Sequence, residues 1–373
     1  MVRDFYFDKI LLISFLTLVI IGLIFVFSAT SVPSLITEKS NAYFYFKREI
    51  MWVVIGLFVM LIAYIIPINF WKRFAYPSVV ISIILLILVL LFPAKVHSTE
   101  VKRWLDFGLL RFQPSEFAKF SLVLFFSYFV YLKGEKNLQK SESIFAVLVI
   151  TGLLAGLIII EPHKGAAIFL TVLIFLLMFS SNFPVKKVIS IPLIFVPIFA
   201  YFILTSGYAK ERFVGLLNPI EHRADTGYQA FQSILAFVKG GFLGEGIGNG
   251  TQKLRYIPEI HTDYIYALIG EETGFLGAVF VIFIFIVILY RGVKISLKKE
   301  DRFTQTLGIG LTYLITLQAL FHILVNVSLM PSTGFTLPFI SYGGSSLLMM
   351  MVYAGILLRI SKEPDKTPVF KGR

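Results

Sequence analysis

Long apolar runs alternate with short polar breaks along the whole chain, beginning with "ILLISFLTLVIIGLIFVFSAT" near the N-terminus. Runs of this kind are long enough to cross a bilayer as helices. They predict ten spans, at roughly 9–30, 50–66, 74–92, 115–132, 144–160, 165–181, 185–204, 263–290, 304–328 and 339–359. The first run exceeds a signal-peptide core and no small-x-small cleavage site follows it, so it reads as a retained span.

The breaks are unequal. On one side they are short and basic: Lys72 and Arg73, Lys133, Lys136 and Lys140, Lys186 and Lys187, "RGVKISLKKEDR" at 291–302, and a tail with Arg359, Lys362 and Lys366. The positive-inside rule assigns that side to the cytoplasm and leaves both termini there. Opposite lie three longer segments, 31–49, 93–114 and 205–262. The last, between spans seven and eight, is too long to be a mere connector.

Composition then sets the class. The 373 residues are 57% hydrophobic and 15% charged, with mean hydropathy +0.83. A soluble domain carries more charge. The expected fold is an all-α polytopic membrane protein, residues 1–373 forming one integral membrane domain. An open sheet is excluded within lipid, which cannot satisfy its edges. There is no cysteine, hence no disulfide and no Cys-based metal site. The formal charge of +12 exceeds what topology requires; anionic headgroups account for part of it and an anionic substrate for the rest.

Several stretches carry chemistry beside a plainer structural reading. In "KRWLDFGLLRFQPSEFAK" at 102–119 the apolar residues come at helix-like spacing, reading as an amphipathic hairpin into span four. Pro114, Ser115 and Glu116 look like a helix start, and Arg103 and Arg111 could grip a diphosphate. "GGFLGEGIGNGTQKLR" at 240–255 is rich in glycine, which allows close backbone approach and a phosphate nest, although no GK[ST] follows. "LPFISYGGSSLLMMM" at 337–351 offers small residues for tight helix packing. Glu161, His163 and Lys164 sit in a short turn, and His322 and Asn326 form a polar pair inside span nine.

The densest polar stretch is "YIPEIHTDYIYALIGEETG" at 256–274. Thr262 or Asp263 can cap the eighth span. Glu271 and Glu272 lie roughly 12 Å deeper along the helix, where carboxylates are costly and default to a paired or functional role. Asp263 is thus expected at the water boundary with the two glutamates behind it as a second polar layer.

"RWLDFGLLRFQPSEFAK", then "GYQAFQSILAFVKGGFLGEGIGNGTQKLRYIPEIHTDYIYALIGEETGFLG", then "LPFISYGGSS", in order from 103 to 346, resemble the SEDS family of bacterial cell-wall proteins, the FtsW and RodA type. "QKLRYIPE" and Thr336 before "LPF" resemble the division branch, and "GTQ" at 250–252 the elongation branch; the balance leans to division. One departure is "EPHKGAA", where His163 stands in place of the family's usual Asp. The resemblance implies ten spans, polymerisation of lipid II into peptidoglycan in the bacterial cytoplasmic membrane, and work alongside a class B penicillin-binding protein and other divisome or elongasome membrane proteins, with no nucleic acid. It also implies that Asp263 is the essential catalytic carboxylate.

Transfer from an α-linked sugar diphosphate to a β-1,4 product inverts the anomeric centre, so one displacement suffices. The acceptor hydroxyl then needs a carboxylate base and the leaving diphosphate needs cations. The candidate substrate set is Arg103, Arg111, Arg212, Lys253, Gln252 and Ser345, with Glu116, Lys119, Glu271, Glu272 and His261 in support. A divalent cation, Mg or Mn, bridging Asp263 and the diphosphate is also expected, although no strong metal-ligand spacing is present. The alternative reading is a lipid II flippase, which needs polar access from both sides.

Overall fold

The computed structural model describes residues 7–37, 43–96, 99–101, 103–106, 108, 111–161, 163–189, 197, 201, 215–216, 218–254, 257 and 259–363. Arg212 and most of the expected span 185–204 lie outside the described residues.

The helices are α1 (Lys9–Thr37), α2 (Phe44–Ile65), α3 (Ile68–Leu91), α4 (Pro114–Leu138), α5 (Ser141–Ile160), α6 (Lys164–Phe179), α7 (Tyr228–Gly240), α8 (Ile265–Leu297), α9 (Arg302–Asn326) and α10 (Gly344–Lys362). Among the described residues, eight of them are long and apolar enough to cross a membrane: α1 to α5 and α8 to α10. At 16 residues α6 is shorter, about 24 Å. Helices α2 and α3 start earlier than the apolar runs suggest, because each carries its charges (Lys47, Arg48 and Glu49; Lys72 and Arg73) inside its first two turns.

Burial separates centre from periphery. The apolar windows of α4, α9 and α10 are 78%, 72% and 72% buried, whereas those of α2, α3 and α8 are 28%, 33% and 33% buried. The first three therefore form the heart of the bundle. Around it α10 packs along α2, α8 against α9 and α1, and α3 along α4. Small residues permit the closest approach: a Cβ on Gly344 would come within 2.4 Å of the Trp52 ring, so the "GGSS" stretch does pack helices as its composition predicts.

The basic connections gather at one end. There Arg291 pairs with Asp8, Lys72 with Asp301 at 3.4 Å and Arg302 with Glu135, and the Asp8 amide donates to Ser361. The starts of α4, α6, α8 and α10 meet at the other end.

The stretch ahead of α4, expected as an amphipathic hairpin, does form a hairpin, but from strands and not at helix-like spacing. Segment 94–112 holds two small antiparallel hairpins, β1 (Ala94–Val96) with β2 (Thr99–Val101) and β3 (Leu105–Asp106) with β4 (Arg111–Phe112). The Asp106 carboxylate turns the second by accepting from the Gly108 amide at 2.8 Å, with Gly108 at φ +81°. A local side-chain bond of this type competes with helix. The expected helix start is met: Pro114 occupies the first turn of α4 and Glu116 follows it.

Candidate functional site

Asp263 lies in the turn before α8, half-buried. It is not the helix cap, and neither is Thr262, contrary to the expectation above. Tyr264 holds the cap position with no side-chain bond. The capping is done from α9: Asn326 Oδ1 accepts from the Ala267 amide at 2.9 Å, and its Nδ2 donates to the carbonyls of Asp263 at 3.0 Å and His322 at 2.8 Å. Thus Asn326 bonds the backbone of His322 rather than its ring. The Asp263 turn is strapped again by Ser341 Oγ to the Thr262 carbonyl (2.7 Å) and by the Tyr342 amide to the His261 carbonyl (2.9 Å).

Residues 333–336 form the hub beside it. The His163 ring bonds the backbone of Thr333. Gly334, at φ +72°, has its Cβ position 3.8 Å from Asp263 Oδ2, an ordinary contact distance; a non-glycine residue there would be strained in backbone. His322 Nδ1 meets the Phe335 carbonyl at 2.7 Å, and Gln318 Nε2 donates to the Thr336 carbonyl at 3.1 Å. A buried polar chain runs on from there. Lys119 Nζ donates to Glu116 Oε1 (2.7 Å) and Gln318 Oε1 (2.6 Å), and Thr336 Oγ1 meets Ser346 Oγ (2.7 Å). The Lys119 ammonium also faces the rings of Phe169 and Phe335 at 5.0 and 5.4 Å, a favourable placement for a desolvated cation. Glu116 Oε2, His322 Nε2 and Ser345 Oγ are buried polar atoms with no protein hydrogen-bond partner. Of "PSTGFT" at 331–336 the sequence singles out Thr336 alone; the local signal of the rest is a glycine beside polar residues.

Beside the hub, burial pushes the Glu161 carboxyl up to about 8, against the opposing pull of Arg103. Burial first, then the charges of Arg103 and Lys119, push the His163 imidazole down to about 3. His163 is therefore neutral, and Arg103 faces this turn. Arg111 pairs with Asp106 at 3.3 Å on the surface and lies close enough to Tyr342 to act on its phenol, which burial raises. His261 packs between the rings of Tyr45 and Tyr342 at 5.4 and 5.5 Å; burial lowers its pKa, opposed by Glu259.

Three expectations are corrected. Glu271 and Glu272 do not form a layer behind Asp263; they hold the glycine-rich segment. Glu272 accepts from Lys253 Nζ (2.8 Å), Ser28 Oγ (2.6 Å) and the amides of Gly248 and Gly250 (3.0 and 3.2 Å). Glu271 accepts from the amides of Thr251 (2.8 Å) and Gln252 (3.2 Å). Lys253 is 4% exposed and engaged in this ion pair, so it is no diphosphate clamp. Gln252 is buried beside it, 1% exposed, and its amide serves Glu271. The glycines serve helix docking rather than a phosphate nest. α8 breaks at Gly274 (φ +67°, ψ −165°), and the backbone groups freed by the break are taken up by this segment. The Glu271 and Glu272 carbonyls accept from the Glu245 and Gly246 amides, both at 3.0 Å, while the Phe275 amide donates to Gly241 at 2.9 Å.

Among the described residues no group of three or more His, Asp or Glu side chains is placed to hold a metal ion. Asp263 offers one carboxylate only, so the described residues alone supply no cage.

Fold and site together define a polytopic helical membrane protein with a carboxylate and a buried polar chain at one end of its bundle. Residues 8–366 match the family of FtsW, RodA and SpoVE, described as cell cycle proteins. A protein of Trichlorobacter lovleyi named probable peptidoglycan glycosyltransferase FtsW is 34% identical over 355 residues, covering 95% of this chain and 93% of its own. One of the same name from Haemophilus influenzae is 33% identical over 360 residues, covering 96% and 91%. Among solved structures, a chain of a peptidoglycan synthase complex that coordinates polymerisation and crosslinking aligns at TM-score 0.74 and 23% identity, covering 95% and 97%. The rod shape determining protein RodA of Thermus thermophilus aligns at 0.70 and 22%, covering 95% and 96%. The chain belongs to the FtsW, RodA and SpoVE family and is a multi-pass protein of the cytoplasmic membrane.

Proposed function

We propose that this chain is a peptidoglycan glycosyltransferase that polymerises lipid II, in the division branch of its family. The observation that carries the reading is Asp263: a half-buried carboxylate at the start of α8, in a turn whose backbone is fixed by Asn326 and Ser341. The relatives at 33–34% identity carry the name FtsW, which favours division over elongation.

In this reading the acceptor sugar hydroxyl attacks the anomeric carbon of the donor, its proton passes to Asp263, and the diphosphate leaves from the opposite face. A turn held by three hydrogen bonds keeps the base in place between cycles. Arg103 and Arg111 supply positive charge for the leaving diphosphate. Ser345 Oγ, Glu116 Oε2 and His322 Nε2, buried without protein partners, are polar groups suited to sugar hydroxyls or water. Lys119 holds Glu116 in place. A magnesium or manganese ion bound by the Asp263 carboxylate together with substrate oxygens, the arrangement such hard ions favour, would neutralise diphosphate charge.

The basic end of the bundle faces the cytoplasm by the positive-inside rule, which puts Asp263 outside. The partner is a class B penicillin-binding protein, in line with the synthase complex that this fold matches. The test is purified protein given labelled lipid II in detergent, with and without that transpeptidase. Glycan polymer supports the transferase; a flippase makes none and acts only across a sealed membrane.

A further inference from the structure

The segment between α7 and α8 has an apolar surface that neither the proposed catalysis nor the internal packing uses. Phe242, Leu243 and Ile247 are 63%, 75% and 61% exposed. Phe242 stacks on Phe275 at 6.0 Å. From Phe275 the exposed apolar surface continues down α8 through Leu276, Val279, Phe280, Phe283 and Ile286, the spacing of one helix face. Such a face on a membrane-spanning helix meets acyl chains.

Depth follows from the hydrogen bonds. The Leu276 amide reaches the Phe242 carbonyl at 3.4 Å, so Phe242 stands level with Leu276. Arg291, paired with Asp8, marks the opposite boundary of the hydrocarbon. Leu276 lies about 22 Å from it along an unbroken stretch of helix, inside a core of about 30 Å. Helix tilt only places it deeper.

Irregular backbone at such depth survives only if its polar groups are satisfied within the protein. Those of 241–252 largely are. The Gly241 and Gly244 amides bond Phe237 and Gly240, those of Glu245 and Gly246 bond α8 carbonyls, and those of Gly248 to Gln252 are taken by the Glu271 and Glu272 carboxylates or, for Asn249, by Gly246. An aqueous loop has no need of this, since water would serve. We infer that 241–248 is a re-entrant wedge whose Phe242, Leu243 and Ile247 side chains insert among the acyl chains of the leaflet at the Asp263 end. Lys239, bonded to Thr251 at 2.8 Å, and the exposed Glu245 and Asn249 form its polar rim.

The absence of cysteine makes the test direct. Single cysteines at Leu243, at Ile247, at lipid-facing Phe280 and at exposed Ala224 carry a nitroxide label, each in the full chain reconstituted into phosphatidylethanolamine–phosphatidylglycerol vesicles. Collision with oxygen, which partitions into lipid, is compared with collision with a water-soluble nickel chelate. Labels at 243 and 247 are expected to favour oxygen, as at 280 and opposite in sign to 224. Nickel access at 243 and 247 equal to that at 224 overturns the proposal. Shielding from both reagents also overturns it, since protein and not lipid would then cover the wedge. Two positions guard against one variant misfolding, and each variant is admitted on a wild-type melting temperature.

Discussion

Lys253 separates two accounts of the same end of the molecule. As a substrate cation its loss would cost turnover alone. As the partner of Glu272 it is structural. Glu272 is 1% exposed and without Lys253 would keep only neutral donors: Ser28 Oγ and the amides of Gly248 and Gly250. Breaking a buried pair by removing one partner costs about 3–5 kcal/mol. For a chain of 373 residues, at about 2.1 cal/mol/K per residue, that lowers the melting temperature by about 4–6 °C. Lys253→Met retains the apolar stem and removes the charge. Adding Glu272→Gln removes the orphaned carboxylate, and replacing both charges is often close to neutral, so the double variant should recover most of the loss. The assay is thermal unfolding of purified protein in detergent, with polymerisation measured on the same samples. A Lys253→Met protein that melts like wild type yet makes no polymer would refute the reasoning and return Lys253 to the substrate.

Stability should fall as pH rises from about 6.5 to 8. Folded Glu161, near 8 against an ordinary 4.5, keeps a proton that the unfolded chain releases, while His163, near 3 against 6.5, acts in the opposite sense below 6.5. The two cancel between about 4.5 and 6.5 and leave a net loss of about 2 kcal/mol above it; Glu161→Gln should abolish that slope, and a wild-type melting temperature that is flat or rising there would contradict it. Asn326→Ala strands the Ala267 amide and the Asp263 carbonyl, at about 1–3 kcal/mol, and should cut polymerisation in variants still folded at the assay temperature; full activity would show that the Asp263 turn needs no strap. Arg103→Ala should lower polymerisation without unfolding the protein, and Arg103→Lys should not restore it fully, because a point charge lacks the planar fork; wild-type turnover in the Ala variant rules out the diphosphate role.

Much of the architecture was legible because membrane helices are written in apolar run length. The helix start at Pro114 and the packing role of "GGSS" were local signals and held. What the sequence hid was pairing at a distance. Glu271 and Glu272 were rightly read as needing partners, but nothing local says that those partners are backbone amides some twenty positions upstream. Lys253 looked like a free cation in a loop because its burial depends on Ser28 of α1. Asn326 as the cap of α8 is a contact across 59 residues, which no capping rule based on adjacent residues can find. The hairpin ahead of α4 was legible in the sequence, but its strands were not, because its apolar residues come at helix-like spacing and the Asp106–Gly108 turn overrides that signal.

The central claim is that Asp263 is the base of glycosyl transfer, and Asp263→Asn tests it most directly. The substitution keeps the side chain's size and leaves the bonds to the 262 and 263 carbonyls in place, so α8 and its cap should persist. Polymer formation by purified Asp263→Asn, matched to wild type in melting temperature and given labelled lipid II, should fall by about a hundredfold or more. Wild-type polymer from that protein would contradict the account.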